Sequence, residues 1–115
     1  MNIQRIQPNA RMSAAVVHNG FVFVSGQVAD DTSANVAGQT KQILDKIDRI
    51  LTEAGSSKES ILSANIWIAE ASTFNEMNSV WDAWVPTGNT PARACVESKL
   101  AFPQYTVEIG VIAAV

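Results

Sequence analysis

The chain is short of the residues that carry most redox, metal and acid–base chemistry: it has one cysteine and one histidine in 115 residues. A lone Cys95 makes no internal disulfide, so a reducing compartment is expected. The only histidine, His18, lies next to a hairpin turn, which gives a histidine-based triad little support, and with one cysteine it falls short of the clustered ligands that zinc prefers. Basic charge is also scarce, with 8 Lys and Arg against 11 Asp and Glu, a net charge of −3 and a pI of about 4.9. Without a basic footprint to neutralise a phosphate backbone, nucleic acid is not expected as the main partner. Long apolar runs are missing as well: Phe21–Val24 and Val111–Val115 fall far short of the roughly 20 residues that cross a bilayer. No glycine-rich run matches the GxxxxGK[ST] pattern that cradles phosphates, so no nucleotide cofactor is implied. Met1–Arg5 show none of the features of a secretory signal, and the cytoplasm is the expected location.

What is present is a hydrophobic fraction of 47%, enough in a chain of this size for one core and one domain spanning residues 1–115. Ser13–His18 and Phe21–Ser25 are β-prone runs around Asn19-Gly20, a dipeptide that accepts the positive φ angles of a tight hairpin turn. Val36, Ile43, Leu44, Ile47, Ile50, Leu51 and Ala54 then recur at helical spacing, with Gln, Lys, Asp and Arg between them, until Gly55. Ile61–Ile68 reads as a strand, with Leu62, Ala64, Ile66 and Ile68 on one face and Ser63, Asn65 and Trp67 on the other. A second helix is predicted after Ser72 and Thr73, with Glu76 in capping-box position and Phe74, Met77, Trp81 and Trp84 on one side. It ends near Pro86, and two further strands follow, Ala92–Glu97 and Tyr105–Val115. The order is ββαβαββ, with a short extra strand near Ile3–Gln7.

Two helices with one apolar stripe each predict an α+β layer structure, both helices lying on one face of a mixed sheet. The other face would carry aromatic residues of the hairpin, Trp67 and Ile112, too apolar a surface to stay open, so self-association is expected. Alternation along Ala92–Glu97 suggests Ala92, Ala94 and Val96 under the helices and Arg93, Cys95 and Glu97 on the opposite side, together with Glu108. A guanidinium and a carboxylate on a face that becomes buried need a partner or a ligand.

Gly88-Asn89-Thr90-Pro91-Ala92-Arg93-Ala94-Cys95-Val96-Glu97, followed by Val107-Glu108-Ile109 and Ile112-Ala113, closely resembles the C-terminal signature of the RidA/YjgF family. Val24-Ser25-Gly26-Gln27 resembles its N-terminal one, and Phe74, Asn78 and Trp81 extend the likeness across almost the whole chain. The resemblance implies a chorismate-mutase-like fold assembled as a homotrimer, with pockets between subunits. It implies hydrolysis of reactive enamines and imines, such as 2-iminopropanoate and 2-iminobutanoate, to 2-oxo acids and ammonia, without metal or cofactor. It also implies roles: Arg93 grips the substrate carboxylate, as a planar fork suits; Glu108 places or activates water; Cys95 contacts the ligand through its backbone; Ser25 and Asn78 line or brace the pocket. The chain departs from many deaminase members before the hairpin, where Arg11-Met12-Ser13-Ala14-Ala15 replaces a Gly-Pro-Tyr segment, and in a shorter Asp30–Val36 stretch.

Other readings of the same residues stand beside these. Arg93 could pair with Glu97 or Glu108 in an interface ion pair. Cys95 alone reads as a small buried hydrophobe rather than a nucleophile. His18 reads as a surface residue, and Trp81 and Trp84 as filling core or interface volume. At the level of function, a non-catalytic module that binds a small carboxylate such as a 2-oxo acid is the alternative to the hydrolase. Ribonuclease or translation-inhibitor activity is a third, disfavoured by the acidic charge and the absence of a histidine pair.

Overall fold

Asn19 and Gly20 both take positive φ, 55° and 86°, and close the hairpin between β2 (Ala15–His18) and β3 (Phe21–Gln27). A computed structural model describes residues 1–115. The hairpin is preceded by a short strand β1 (Gln4–Ile6) and followed by α1 (Val36–Glu53), β4 (Ile61–Ile68), α2 (Phe74–Trp84), β5 (Ala92–Glu97) and β6 (Val107–Ala114). The six strands form one sheet in the order β1-β2-β3-β6-β4-β5. Only β4 and β5, the two strands joined through α2, run parallel. Both helices pack on one face, giving the chorismate-mutase-like arrangement.

A cluster of 22 buried residues fills the space between helices and sheet, including Ile43, Leu44, Ile47 and Leu51 of α1, Met77 and Trp81 of α2, and Val107, Ile109, Val111 and Ala113 of β6. Not every polar residue of α1 faces solvent: Gln39 and Thr40 are fully buried. The Gln39 amide donates to the carbonyls of Thr32, Ala34 and Gln104, and its oxygen accepts the Thr106 N–H at 3.0 Å. One buried side chain thereby ties the loop before α1 to the loop before β6, supplying backbone groups that neither loop can satisfy alone. The molecule is only 20 Å across its shortest axis, room for one helical layer and one sheet, so the sheet's second face is uncovered. That face shows Phe21, Phe23 and Val96, which are 41%, 46% and 52% exposed. Neither helix is long and apolar enough to cross a membrane.

Three expectations are corrected. Leu62 is not on the core face: an irregularity in the β4–β6 register between Ile61 and Ser63 puts Ile61 in the core instead and leaves Leu62 47% exposed. The capping box at α2 does not form. The Thr73 hydroxyl donates to the Glu70 carbonyl, and the Glu76 carboxylate accepts the Ala37 N–H at 2.9 Å, so it caps α1, whose positive N-terminal end favours an anion. The third correction concerns β5, where Arg93, Cys95 and Glu97 lie on the helix face and Ala92, Ala94 and Val96 on the open one. Arg93 and Cys95 stand in register with the buried Ala64 and Ile66 of β4. The expected assignment rested on hydrophobicity, which decides little on this edge strand. Every residue of β5 except the half-buried Cys95 is exposed, because the helices do not extend over the sheet margin.

Candidate functional site

Arg93 leaves the edge strand toward α2 and is held there by three of its side chains. Its Nη1 donates to Asn78 Oδ1 at 2.8 Å. Its guanidinium carbon lies 5.2 Å from the ring centre of Trp81 and 5.8 Å from that of Phe74, within range of cation–π attraction. Residues 74, 78 and 81 follow one another at the helical spacing that lines up a single face, so α2 presents a ready-made cradle. Phe74 is 40% exposed and therefore serves this margin more than the core. The ion-pair reading of Arg93 is not met within the chain: the two salt bridges are Lys41–Asp45 and Lys46–Asp30. Glu97 is engaged otherwise, accepting the Ala71 N–H at 2.7 Å. Arg93 is thus an oriented, exposed cation without a carboxylate partner.

Cys95, two residues on, is half-buried and packs against the core. Burial pushes its thiol up from the ordinary value, more strongly than the nearby Arg93 charge pulls it down. A thiol raised in this way is mostly protonated near neutral pH and makes a poor nucleophile.

Glu108 projects from the open face of β6, between the core residues Val107 and Ile109, in register with Trp67 of β4. It therefore shares neither face nor strand with Arg93. Two strand spacings and three residues of offset separate the Cα positions by about 14 Å, and the side chains leave the sheet on opposite sides. The expectation that one face of one copy carries both is overturned. Ser25 is in the irregular end of β3, where the register with β6 shifts between Val24 and Gln27. Its hydroxyl donates to the Ser13 carbonyl at 2.5 Å and its N–H to the Ala14 carbonyl at 2.9 Å, so it braces the Arg11–Ala15 segment.

The structure thus brings Arg93, Asn78 and Cys95 together and leaves Glu108 and Ser25 apart from them. Phe74 and Trp81 stood in the sequence as parts of an apolar helix side. Their spacing around Asn78 was the available signal for a cation cradle, but it becomes readable only once β5 is known to pass beneath α2. A separate polar cleft of about 290 Å³ between β1, β3 and α1, lined by Gln7, Gln27, Asp30, Lys46, Arg49 and Ile50, contains none of these residues. No group of three or more His, Cys, Asp or Glu side chains is arranged to hold a metal.

Known proteins resemble this one along the whole chain. The family model described as endoribonuclease L-PSP covers residues 2–115. A RutC family protein of Haemophilus influenzae is 44% identical over 98% of both chains, and the RutC family protein YoaB of Escherichia coli is 43% identical over 100% of both. The crystal structure of a YjgF family member from Neisseria meningitidis superposes with a TM-score of 0.96 at 46% identity, covering 99% of this chain and 95% of that one. The chain belongs to the RidA/YjgF family, the group to which the RutC and L-PSP names also attach.

Proposed function

We propose that the protein hydrolyses small carboxylate-bearing imines and enamines to 2-oxo acids and ammonia, in a site assembled from two copies of the chain. The observation that carries this reading is Arg93: a guanidinium fixed by Asn78 and two aromatic rings, exposed, and with no acidic partner in its own chain. Such a group leaves donors free for a bidentate carboxylate. Because Glu108 projects from the opposite sheet face, a site that uses both takes one from each of two subunits. The open face with Phe21, Phe23 and Val96 supports self-association, and a trimer is the assembly that the family resemblance implies.

In this mechanism Arg93 holds the carboxylate of the imine and Glu108 of a neighbouring copy accepts a proton from water. The oxygen of that water adds to the imine carbon and the proton passes to nitrogen, giving a carbinolamine; its hydroxyl proton then passes to nitrogen as well while the C–N bond breaks, leaving ketone and ammonia. Carboxylate-assisted proton transfer is worth about 10² to 10⁴ in rate, suited to an imine that hydrolyses unaided. Cys95 contributes its backbone and its shape, in keeping with its raised thiol. The expected location is the cytoplasm, where amino-acid-derived imines arise.

The alternative is a module that binds a 2-oxo acid without turnover. The absence of a tyrosine from Arg11–Ala15, which Ser25 holds in place, favours it. Ribonuclease activity, which the family model's description carries, is disfavoured by the net charge of −3 and the single histidine. The deciding experiment is ammonia release from 2-iminopropanoate and 2-iminobutanoate generated in place by an amino-acid oxidase. Acceleration that disappears in Arg93→Ala supports the hydrolase; no acceleration by correctly assembled protein, with 2-oxobutanoate still bound, supports the module.

A further inference from the structure

We infer that Gly26 is a positioning residue for Glu108: the missing side chain at Gly26 is the space in which the Glu108 carboxylate lies. This inference rests on the hydrolytic reading of Glu108 and adds to it a residue that acts through the carboxylate. A Cβ built on Gly26 would sit 2.1 Å from Glu108 Oε2, 3.0 Å from its carboxyl carbon and 3.2 Å from its Cγ. No other residue type fits there while the carboxylate stays in place.

The usual reason for a glycine does not apply. The glycines with positive φ are Gly20, Gly55 and Gly88, and Gly26 is not among them. Its backbone is one that alanine adopts, so the demand is for volume and not for conformation. The register shift between Val24 and Gln27 places Gly26 at a break in the β3–β6 ladder, the kind of irregularity that re-aims groups beside functional sites. Gly110, next on the same face of β6 after Glu108, provides an internal contrast. A Cβ there would meet only backbone atoms at 3.5 to 3.7 Å, an ordinary contact.

The clashing atoms at Gly26 belong to the end of a flexible side chain. Alanine should therefore leave the fold intact and push the carboxylate away by roughly 1 Å or more, the distance needed to restore van der Waals contact. A displacement of that size at a group that positions water costs on the order of 100-fold in rate. Substrate affinity rests on the grip of Arg93, which in the shared site comes from the neighbouring copy and does not depend on where the Glu108 carboxylate lies, so it should change little.

The test compares wild type with Gly26→Ala and Gly110→Ala, by kinetics on 2-iminobutanoate and by carbon NMR of protein labelled at the glutamate carboxyl carbons. The expected result is a kcat lowered about 100-fold in Gly26→Ala with KM unchanged, a shifted Glu108 carboxyl resonance in that variant alone, and near wild-type behaviour in Gly110→Ala. Wild-type kcat with an unmoved Glu108 resonance in Gly26→Ala overturns the inference, as does an equal loss in both variants. If the wild type shows no turnover, it is the hydrolase reading that fails. The resonance then decides alone: movement confined to Gly26→Ala upholds the positioning of Glu108, and no movement overturns it.

Discussion

Asn78 accepts a hydrogen bond from Arg93 at 2.8 Å, across the gap between α2 and the edge strand, and so turns the guanidinium between Phe74 and Trp81. The bond uses one of five guanidinium donors. It fixes the direction of the cation without neutralising it, which is what a carboxylate-binding arginine requires.

The pair can be tested by substitution. Asn78→Asp keeps the size of the side chain but supplies a charge, so Arg93 gains an internal partner and competes less well for an external carboxylate. Affinity for 2-oxobutanoate, measured by calorimetry, should fall about 10-fold or more, in line with the strength of hydrogen bonds to charged groups. Arg93→Lys should lose a comparable amount because an ammonium cannot reproduce the planar fork. Both variants should melt close to the wild type, since Arg93 is exposed and its aromatic contacts are worth about 0.5–1 kcal/mol each at such a site.

Gln39 predicts a change in stability without any change at the site. Gln39→Leu is close in volume but leaves the Thr106 N–H and the carbonyls of Thr32, Ala34 and Gln104 without their partner. An unsatisfied buried group costs about 1–3 kcal/mol, so urea unfolding should show a loss of at least about 2 kcal/mol. A loss below about 0.5 kcal/mol would mean that the two loops do not depend on this residue.

Cys95 gives a pH dependence with a definite sign. Burial raises its thiol in the folded chain, so on raising the pH the unfolded chain ionises first and the folded one holds its proton longer. Stability from this group is fully present below the ordinary thiol range and is lost as pH rises from that range through the raised value of the folded chain. Cys95→Ala should therefore show a smaller drop in melting temperature between pH 7.5 and 9.5 than the wild type. The same variant should retain imine turnover, since a protonated thiol takes no part in the proposed chemistry.

The elements were legible in the sequence because each is written in a pattern that local chemistry enforces: the Asn19-Gly20 turn, the Val36-to-Ala54 periodicity, the alternation from Ala64 to Ile68. What was not legible depends on contacts between elements. Glu76 sits where a capping box needs a glutamate, yet it caps a different helix, because the start of α1 lies within its reach. Gln39 looks like one more polar residue of an amphipathic helix, and only the approach of two loops shows that it is buried. Ile61 and Leu62 exchange their places through a one-residue irregularity in β4 that no periodicity announces. Arg93 is the most consequential case. Alternation separates it correctly from Ala92 and Ala94 but does not say which set faces the helices, and on a strand exposed on both faces hydrophobicity does not say so either. The family resemblance named Arg93 and Glu108 as partners; their positions on opposite faces show what such a partnership requires of a second copy.

The most direct test of that requirement is complementation by mixed subunits. Arg93→Ala and Glu108→Ala are each prepared as the assembled protein, then mixed in equal amounts, dissociated and reassembled, and ammonia release from 2-iminobutanoate is measured. If each site takes Arg93 from one copy and Glu108 from its neighbour, random reassembly restores both groups in about a quarter of the sites of a closed ring, and about a quarter of wild-type activity returns. Two inactive parents that stay inactive after verified subunit exchange would contradict a site shared between copies.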